Sequence, residues 1–412
     1  MPRLRRVFSH VLDPAFGSAF NRLWVSAAVS NIGDGVVLAA GPLLLATVTT
    51  NPAAVAAATF AQQLPWLLFA LVGGALADRL PRRTLVVAGN TVRAGLLAGL
   101  AVTIAAGAPP LWLLYLVSFL FGTVETLADV AAGALVADIV PVGLLGRANA
   151  RLQLTFTVNN LLIGPALGAL LFAVGAAVPF GLHAVACGLA ALIVLRVPSP
   201  FQRTGSATTI RADIGDGLRT LWRHRGLRIL AVSIFVMNFG GVGAFAIWVL
   251  YGKQHLGLTD TQYGLFVATG AVGGMAGAWA YGRLEKRLGQ TVLLRGGLIV
   301  ESLTYLVLAL TSNPWVAGAT MAVFGVHAIV WGAVAATARQ RATPSELLGR
   351  VGSVYALASV CGSLLGALLG GFVAARFGLL APFWLAFVLV AVMVVVAWRR
   401  LADVRATQTV QQ

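Results

Sequence analysis

Twelve stretches dominated by apolar residues follow one another along the 412-residue chain, and each can cross about 30 Å of hydrocarbon at about 1.5 Å of rise per residue. They occupy 23–46, 54–77, 84–106, 111–137, 149–174 and 179–196, then 228–250, 262–282, 291–311, 315–338, 350–375 and 380–398. Backbone N–H and C=O groups inside a bilayer have no water to bond, so such stretches must be helices. A β-barrel would show segments of about ten residues with alternating polarity, which this sequence lacks. The apolar share of 59%, the charged share of 10% and a mean hydropathy of +0.88 exclude a soluble domain of ordinary composition. The predicted fold class is an all-α polytopic membrane protein with twelve transmembrane helices.

The formal net charge of +16 would point to nucleic acid in a soluble protein, but here the basic residues sit at helix ends and form no face interleaved with aromatics. Arg79, Arg82, Arg83, Arg147, Arg151, Arg283, Lys286, Arg287, Arg339, Arg341 and Arg350 all flank the connections from even to odd spans, whereas the opposite connections hold Lys253 and Arg376. The positive-inside rule then places both termini, and the 197–227 linker with Arg203, Arg211, Arg219, Arg223 and Arg225, in the cytoplasm. Arg3, Arg5 and Arg6 precede a stretch interrupted by Asp13, Asn21 and Arg22, so the first apolar run is expected to remain as a helix and not to be cleaved. Cys187 and Cys361 fall inside spans and read as packing residues, with no disulfide framework.

The chain repeats itself. Pro141-Val-Gly-Leu-Leu-Gly-Arg147 returns as Pro344-Ser-Glu-Leu-Leu-Gly-Arg350, an offset of 203 residues at the same topological place. Phe121-Gly122 answers Phe324-Gly325, Gly168 answers Gly371, and Ala77-Asp78-Arg79-Leu80 answers Tyr281-Gly282-Arg283-Leu284. The expected organisation is an N-terminal segment 1–22, a six-helix bundle 23–196, the linker 197–227, a second pseudo-symmetric six-helix bundle 228–398 and a tail 399–412.

After the second span the sequence reads Gly73-Gly74-Ala-Leu-Ala77-Asp78-Arg79-Leu80-Pro81-Arg82-Arg83, a small-residue helix end followed by a carboxylate and three arginines. The fifth span carries Gly164-Pro165-Ala-Leu-Gly168, where proline kinks a helix and glycines permit close packing. Together with Ser30-Asn31-Ile32-Gly33-Asp34, Glu125-Thr-Leu-Ala-Asp129 and Arg147-Ala148-Asn149-Ala150, these stretches resemble the major facilitator superfamily, in its twelve-helix drug:proton antiporter branch of macrolide, tetracycline and siderophore exporters. Pro81 stands where that family's loop has glycine, Gly282 replaces Asp78 in the second copy, and Ala169 replaces a customary glycine. The resemblance implies that Gly74, Asp78, Arg79, Arg82 and Arg83 form a gating clasp with Asp138 as partner, and that Gly164, Pro165 and Gly168 form an antiporter-type packing element. The alternative for the arginines is that they only set topology.

Four carboxylates lie within spans: Asp34, Glu125, Asp129 and Glu301. Their cost in lipid makes each a functional candidate. Asp34, between Gly33 and Gly35, and Glu125 reach similar mid-membrane depth, and the resemblance places both on cavity-lining helices. Glu125 and Asp129 are spaced i,i+4 and share one helix face, an arrangement suited to holding a proton. Arg93, at matching depth on the third span, is either a salt-bridge partner for Asp129 or part of the proton-coupling set. Glu301 sits alone in the ninth span and His327 lies in the tenth; each reads as a helix–helix hydrogen bond or a cavity residue. Asn159 and Asn160 point about 100° apart, so at most one faces the cavity. His183 reads as structural.

No phosphate loop, His-Glu-x-x-His or Gly-x-Ser-x-Gly is present, so neither an enzyme, a metal site nor any cofactor is expected. The expected function is proton-coupled efflux of a moderately hydrophobic small molecule such as a drug, antibiotic or siderophore, by alternating access, from a monomer in the bacterial plasma membrane. Its partners are that substrate, protons and the lipid bilayer. A proton symporter or facilitator importing a nutrient remains open, as does a transport-inactive receptor or scaffold.

Overall fold

The computed structural model describes residues 16–198, 210–344 and 347–406. All regular structure among them is helical. The helices are α1 (Gly17–Val48), α2 (Pro52–Arg79), α3 (Arg82–Ala106), α4 (Leu111–Ile139), α5 (Val142–Val174), α6 (Val178–Val194), α7 (Ile210–Arg223), α8 (Arg225–Phe245), α9 (Asp260–Leu310), α10 (Pro314–Arg341), α11 (Leu348–Phe377) and α12 (Ala381–Ala406). Two compact units result, one of Met1–Leu44 with Leu64–Gly205, the other of Leu45–Gln63 with Ser206–Gln412.

The twelve predicted spans all fall on helices, but their breaks differ from a simple loop pattern. Pro81 ends the helical path after α2, because it offers no N–H and its ring crowds the preceding turn. In the second copy of this connection α9 runs on for 51 residues through 282–288, and the chain turns at a single residue, Gly289, with φ 76° and ψ 162°. That left-handed backbone is open to glycine and strained for other residues. Residues 260–288 and 290–310 are thus the eighth and ninth spans joined by a one-residue kink.

The polar linker also contains structure that the sequence reading did not anticipate. Helix α7 lies within it, and Leu221 is buried in a cluster with Leu227, Ala231, Val351 and Val354. His224 then caps α8, its Nδ1 accepting from the backbone N–H of Leu227 at 3.2 Å.

Inside the first unit, one end is closed by apolar packing among Phe20, Leu23, Val86, Leu135, Ala148 and Val194, which belong to α1, α3, α4, α5 and α6. Arginines finish the same end. Arg22 donates to the carbonyl of Arg196 at 2.7 Å and Arg83 to that of Val197 at 3.3 Å, satisfying oxygens just beyond the C-terminus of α6. Arg151 lies over the ring of Trp24 at 4.2 Å, while Trp24 Nε1 donates to Thr155 at 2.7 Å.

Candidate functional site

The first unit gathers its ionisable groups around α1. Helix α3 buries Val86, Gly89, Asn90, Arg93, Leu97 and Leu100, a spacing of three and four residues that turns one face inward and carries Arg93 with it. Gly89 lets α3 approach α4 closely, since a Cβ there would stand 2.8 Å from that of Ala128. From this face the Arg93 guanidinium pairs with Asp34 on α1 and donates to Ser30 at 3.4 Å. Ser30 and Asp34 are one turn apart, and Ser30 donates to the second Asp34 oxygen at 3.3 Å. Only 4% of the Arg93 side chain and 11% of the Asp34 side chain are exposed.

The alternative pairing of Arg93 with Asp129 is therefore corrected: no ion pair joins them among the described residues. Depth alone did not separate the two partners; the face of α3 that meets α1 does. Glu125, partly buried, and Asp129, exposed, remain within electrostatic range of Arg93.

His183 is the residue that sequence reasoning missed. It is fully buried on α6, and its Nε2 lies 3.1 Å from Asp34 Oδ1, although neither ring nitrogen has an aligned hydrogen bond. Gly33 admits the imidazole: a Cβ there would fall 2.1 Å from His183 Cδ2. Phe121 of α4 closes the site, edge-on to His183 at 5.8 Å and under the Arg93 guanidinium at 4.6 Å. The available signal was the one used for the carboxylates, an ionisable side chain inside a span.

On the other side of Asp34, Gly35 meets α5. A Cβ at Gly35 would lie 2.4 Å from the Asn160 carbonyl oxygen, and one at Gly168 would lie 2.1 Å from that of Val36. The two helices touch backbone to backbone, with Gly164 against Gly35 as well. Pro165 acts on the local helix differently from the expected simple kink. Residues Thr157–Ile163 are wound as a π-helix, and the N–H of Gly164 reaches the Asn159 carbonyl, five residues back. Widening the turn accommodates the proline ring and its missing donor. Asn159, within this widened turn, donates from Nδ2 to the Ala28 carbonyl on α1 at 3.0 Å. Asn160 contributes its backbone at the Gly35 contact.

The loop residues separate into two groups. Arg82 Nη1 pairs with Asp138 Oδ1 at 2.5 Å and also donates to the Ala134 carbonyl at 3.1 Å, tying the start of α3 to the end of α4. Arg79 is exposed. The surroundings of Gly74 and the side chain of Asp78 lie outside the described residues.

In the second unit Glu301 is not alone. His327 Nε2 lies 3.0 Å from Glu301 Oε2, and Tyr305 donates its hydroxyl to Glu301 Oε1 at 2.9 Å, with all three side chains buried. This satisfies the carboxylate between α9 and α10 and joins two residues that the sequence reading left apart.

Known proteins share this architecture and this sequence pattern. A bacterial homologue of the human lysosomal transporter Spinster superposes with a TM-score of 0.74 over 96% of this chain and 98% of its own, at 13% identity. A bacterial homologue of the iron transporter ferroportin gives 0.69 over 91% and 98%, at 18% identity. These likenesses carry the fold alone. Among curated relatives, the tetracycline resistance protein, class C, of Escherichia coli is 29% identical over 364 residues, covering 83% of this chain and 86% of that one. The enterobactin exporter EntS of Salmonella typhimurium is 26% identical over 362 residues, covering 86% and 85%. The relatives match the drug and siderophore exporter branch that the motifs resemble. The family model of the Major Facilitator Superfamily matches residues 23–360, and with the twelve-span helical fold this makes the chain a multi-pass membrane transport protein belonging to the Major Facilitator Superfamily.

Proposed function

We propose that the protein is a proton-coupled exporter that moves a moderately hydrophobic small molecule, in the class of drugs, antibiotics or siderophores, out across the bacterial plasma membrane by alternating access. The observation that carries this reading is the buried Asp34–Arg93 ion pair, with His183 against it and Glu125 and Asp129 within reach. The names of the relatives, a tetracycline resistance protein and an enterobactin exporter, favour export over import.

The chemistry follows from charge balance in a low-dielectric site. While Asp34 is ionised, it compensates Arg93. A proton on Asp34 removes that compensation and leaves a buried guanidinium unpaired, a state that costs on the order of 3–5 kcal/mol. Arg93 then gains by turning toward Glu125 and Asp129 on α4, the acids already in range. Proton binding at α1 thereby moves a contact from α1 to α4, and α1 is the helix seated on the glycines of α5. Substrate binding in the conformation that restores the Asp34–Arg93 pair releases the proton. The Arg82–Asp138 pair is read as the gating contact beside the loop, and the protein is read as a monomer with both termini cytoplasmic.

The test is efflux from cells and everted vesicles with a panel of dyes, antibiotics and siderophores, with and without a protonophore. Substrate-dependent efflux that collapses with the proton gradient, and that Asp34→Asn abolishes, is expected. Efflux of a panel compound that persists unchanged in Asp34→Asn and in protonophore would overturn the reading.

A further inference from the structure

The second unit contains a buried acid–base cluster that the exporter mechanism above does not use. We propose that Glu301, His327 and Tyr305 form a second proton-binding site, separate from Asp34–Arg93, which takes up one proton as a unit. Their geometry is that of a site with one open valence. Glu301 accepts from Tyr305 through one oxygen and faces His327 Nε2 through the other. With Nε2 protonated and donating to the carboxylate, the imidazole is neutral and the cluster carries one negative charge. The other ring nitrogen, His327 Nδ1, is buried with no hydrogen-bond partner among the described residues. One proton added at that lone pair makes an imidazolium beside a carboxylate and brings the cluster to neutrality, with no other group changing charge.

The packing explains why the space exists. A Cβ at Gly297 would lie 2.9 Å from His327 Nδ1 and 2.5 Å from Trp331 Cδ1, so glycine keeps a position where the imidazole and the indole converge. Trp331 Nε1 is likewise buried without a hydrogen-bond partner among the described residues. Phe324 stands edge-on to His327 at 5.9 Å, as Phe121 does to His183, so each unit sets a buried histidine against the phenylalanine of the repeated Phe-Gly pair.

Among the described residues, few polar groups face the cluster. Helix α8 contributes Gly241, at which a Cβ would meet the Tyr305 hydroxyl at 2.9 Å. Helix α12 contributes the Phe387 carbonyl, bonded by Ser302. The adjoining apolar cluster of Leu294, Leu298, Val330, Trp331 and Met393 adds no carboxylate, imidazole or cation. Arg295, earlier on α9, stacks over Trp398 at 4.8 Å. The duplication puts the cluster on the ninth and tenth spans, the counterparts of those bearing Arg93 and Glu125.

The inference extends the proposal of proton coupling, and an equilibrium titration without any transported substrate keeps the two separately testable. The full chain, labelled with ¹⁵N-histidine, is placed in lipid nanodiscs and its imidazole resonances are followed from pH 4 to pH 9, the His327 signals being those lost in His327→Gln. A titrating His327 is expected. Glu301→Gln removes the negative charge that favours the imidazolium, so its protonated fraction at fixed pH within the transition falls by about tenfold. Tyr305→Phe removes a donor that stabilises the carboxylate without a proton, so the protonated fraction rises. Asp34→Asn leaves the His327 titration unchanged. A His327 signal that does not titrate in this range, or that titrates identically in Tyr305→Phe and Glu301→Gln, overturns the proposal and leaves a static helix–helix hydrogen bond. Tyr305→Phe changes a single buried oxygen, so it decides the matter should Glu301→Gln not fold.

Discussion

Arg93 on α3 holds Asp34 on α1 in an ion pair that is almost sealed from solvent, and it is the only basic side chain in the first unit whose guanidinium the described structure places against an in-span carboxylate. Breaking such a pair from one side is costlier than removing it whole, because one partner is left as an uncompensated buried charge. Arg93→Gln and Asp34→Asn are each expected to lower unfolding stability by about 3 kcal/mol, whereas the double substitution loses clearly less than the two added together. Thermal unfolding of the detergent-solubilised full chain measures the cycle. Additive losses would show that the two side chains do not depend on one another.

The contact between α1 and α5 is made of backbone, so it has no room for a methyl group. Gly168→Ala would place a Cβ against the Val36 carbonyl and should destabilise the protein by about 1–3 kcal/mol as α5 is pushed from α1. Gly95 on α3 is the control, since nothing lies within 4 Å of a Cβ there and the position is exposed. Gly95→Ala should be neutral or gain about 0.5 kcal/mol through helix propensity. The same unfolding measurement compares them, and equal effects at the two positions would refute the close-packing account.

How much of this was legible beforehand follows from the kind of information each feature needs. The spans were readable because apolar length is a local property, and the duplication because Pro141–Arg147 and Pro344–Arg350 repeat in polar as well as apolar residues. The partner of Arg93 was not, because depth ranks Asp34 and Asp129 alike and only helix rotation distinguishes them. His183 was visible as an ionisable residue in a span, but its closeness to Asp34 depends on Gly33 leaving space, a contact 150 residues apart in sequence. The π-turn at Thr157–Ile163 had a local signal in Pro165 that also fits an ordinary kink. Helix α7 was hidden by the polar composition of the linker.

His224 provides a pH-dependent cap ahead of the α8 membrane helix. Its burial shifts it below the ordinary histidine value of 6.5, and its Nδ1 accepts the Leu227 N–H only while unprotonated. The neutral form is the one favoured by folding, so the contribution is complete above about pH 6.5 and is lost as pH falls through the lower value held in the fold. His224→Ala should cost about 1 kcal/mol at pH 8 and much less at an acidic pH below the lowered value of His224, while His224→Asn keeps a cap at both. Unfolding midpoints of the three proteins at the two pH values decide this, and a pH-independent cost of the alanine substitution would contradict the capping role.

Arg82 and Asp138 pose the opposite case to Arg93 and Asp34, because their side chains retain 19% and 23% exposure and water screens the pair. Its contribution to stability is expected to stay within about 1 kcal/mol. Any larger effect on transport therefore has to come from a difference between conformations, which is what a gating contact requires and a merely stabilising one does not supply. Asp138→Asn leaves Arg82 its bond to the Ala134 carbonyl and should change the unfolding midpoint little, yet shift the rate of panel-compound efflux severalfold. The exchanged pair Arg82→Asp with Asp138→Arg restores the charge complementarity and should recover part of that rate. Efflux that follows the unfolding midpoint in both variants would reduce the pair to a surface salt bridge between α3 and α4.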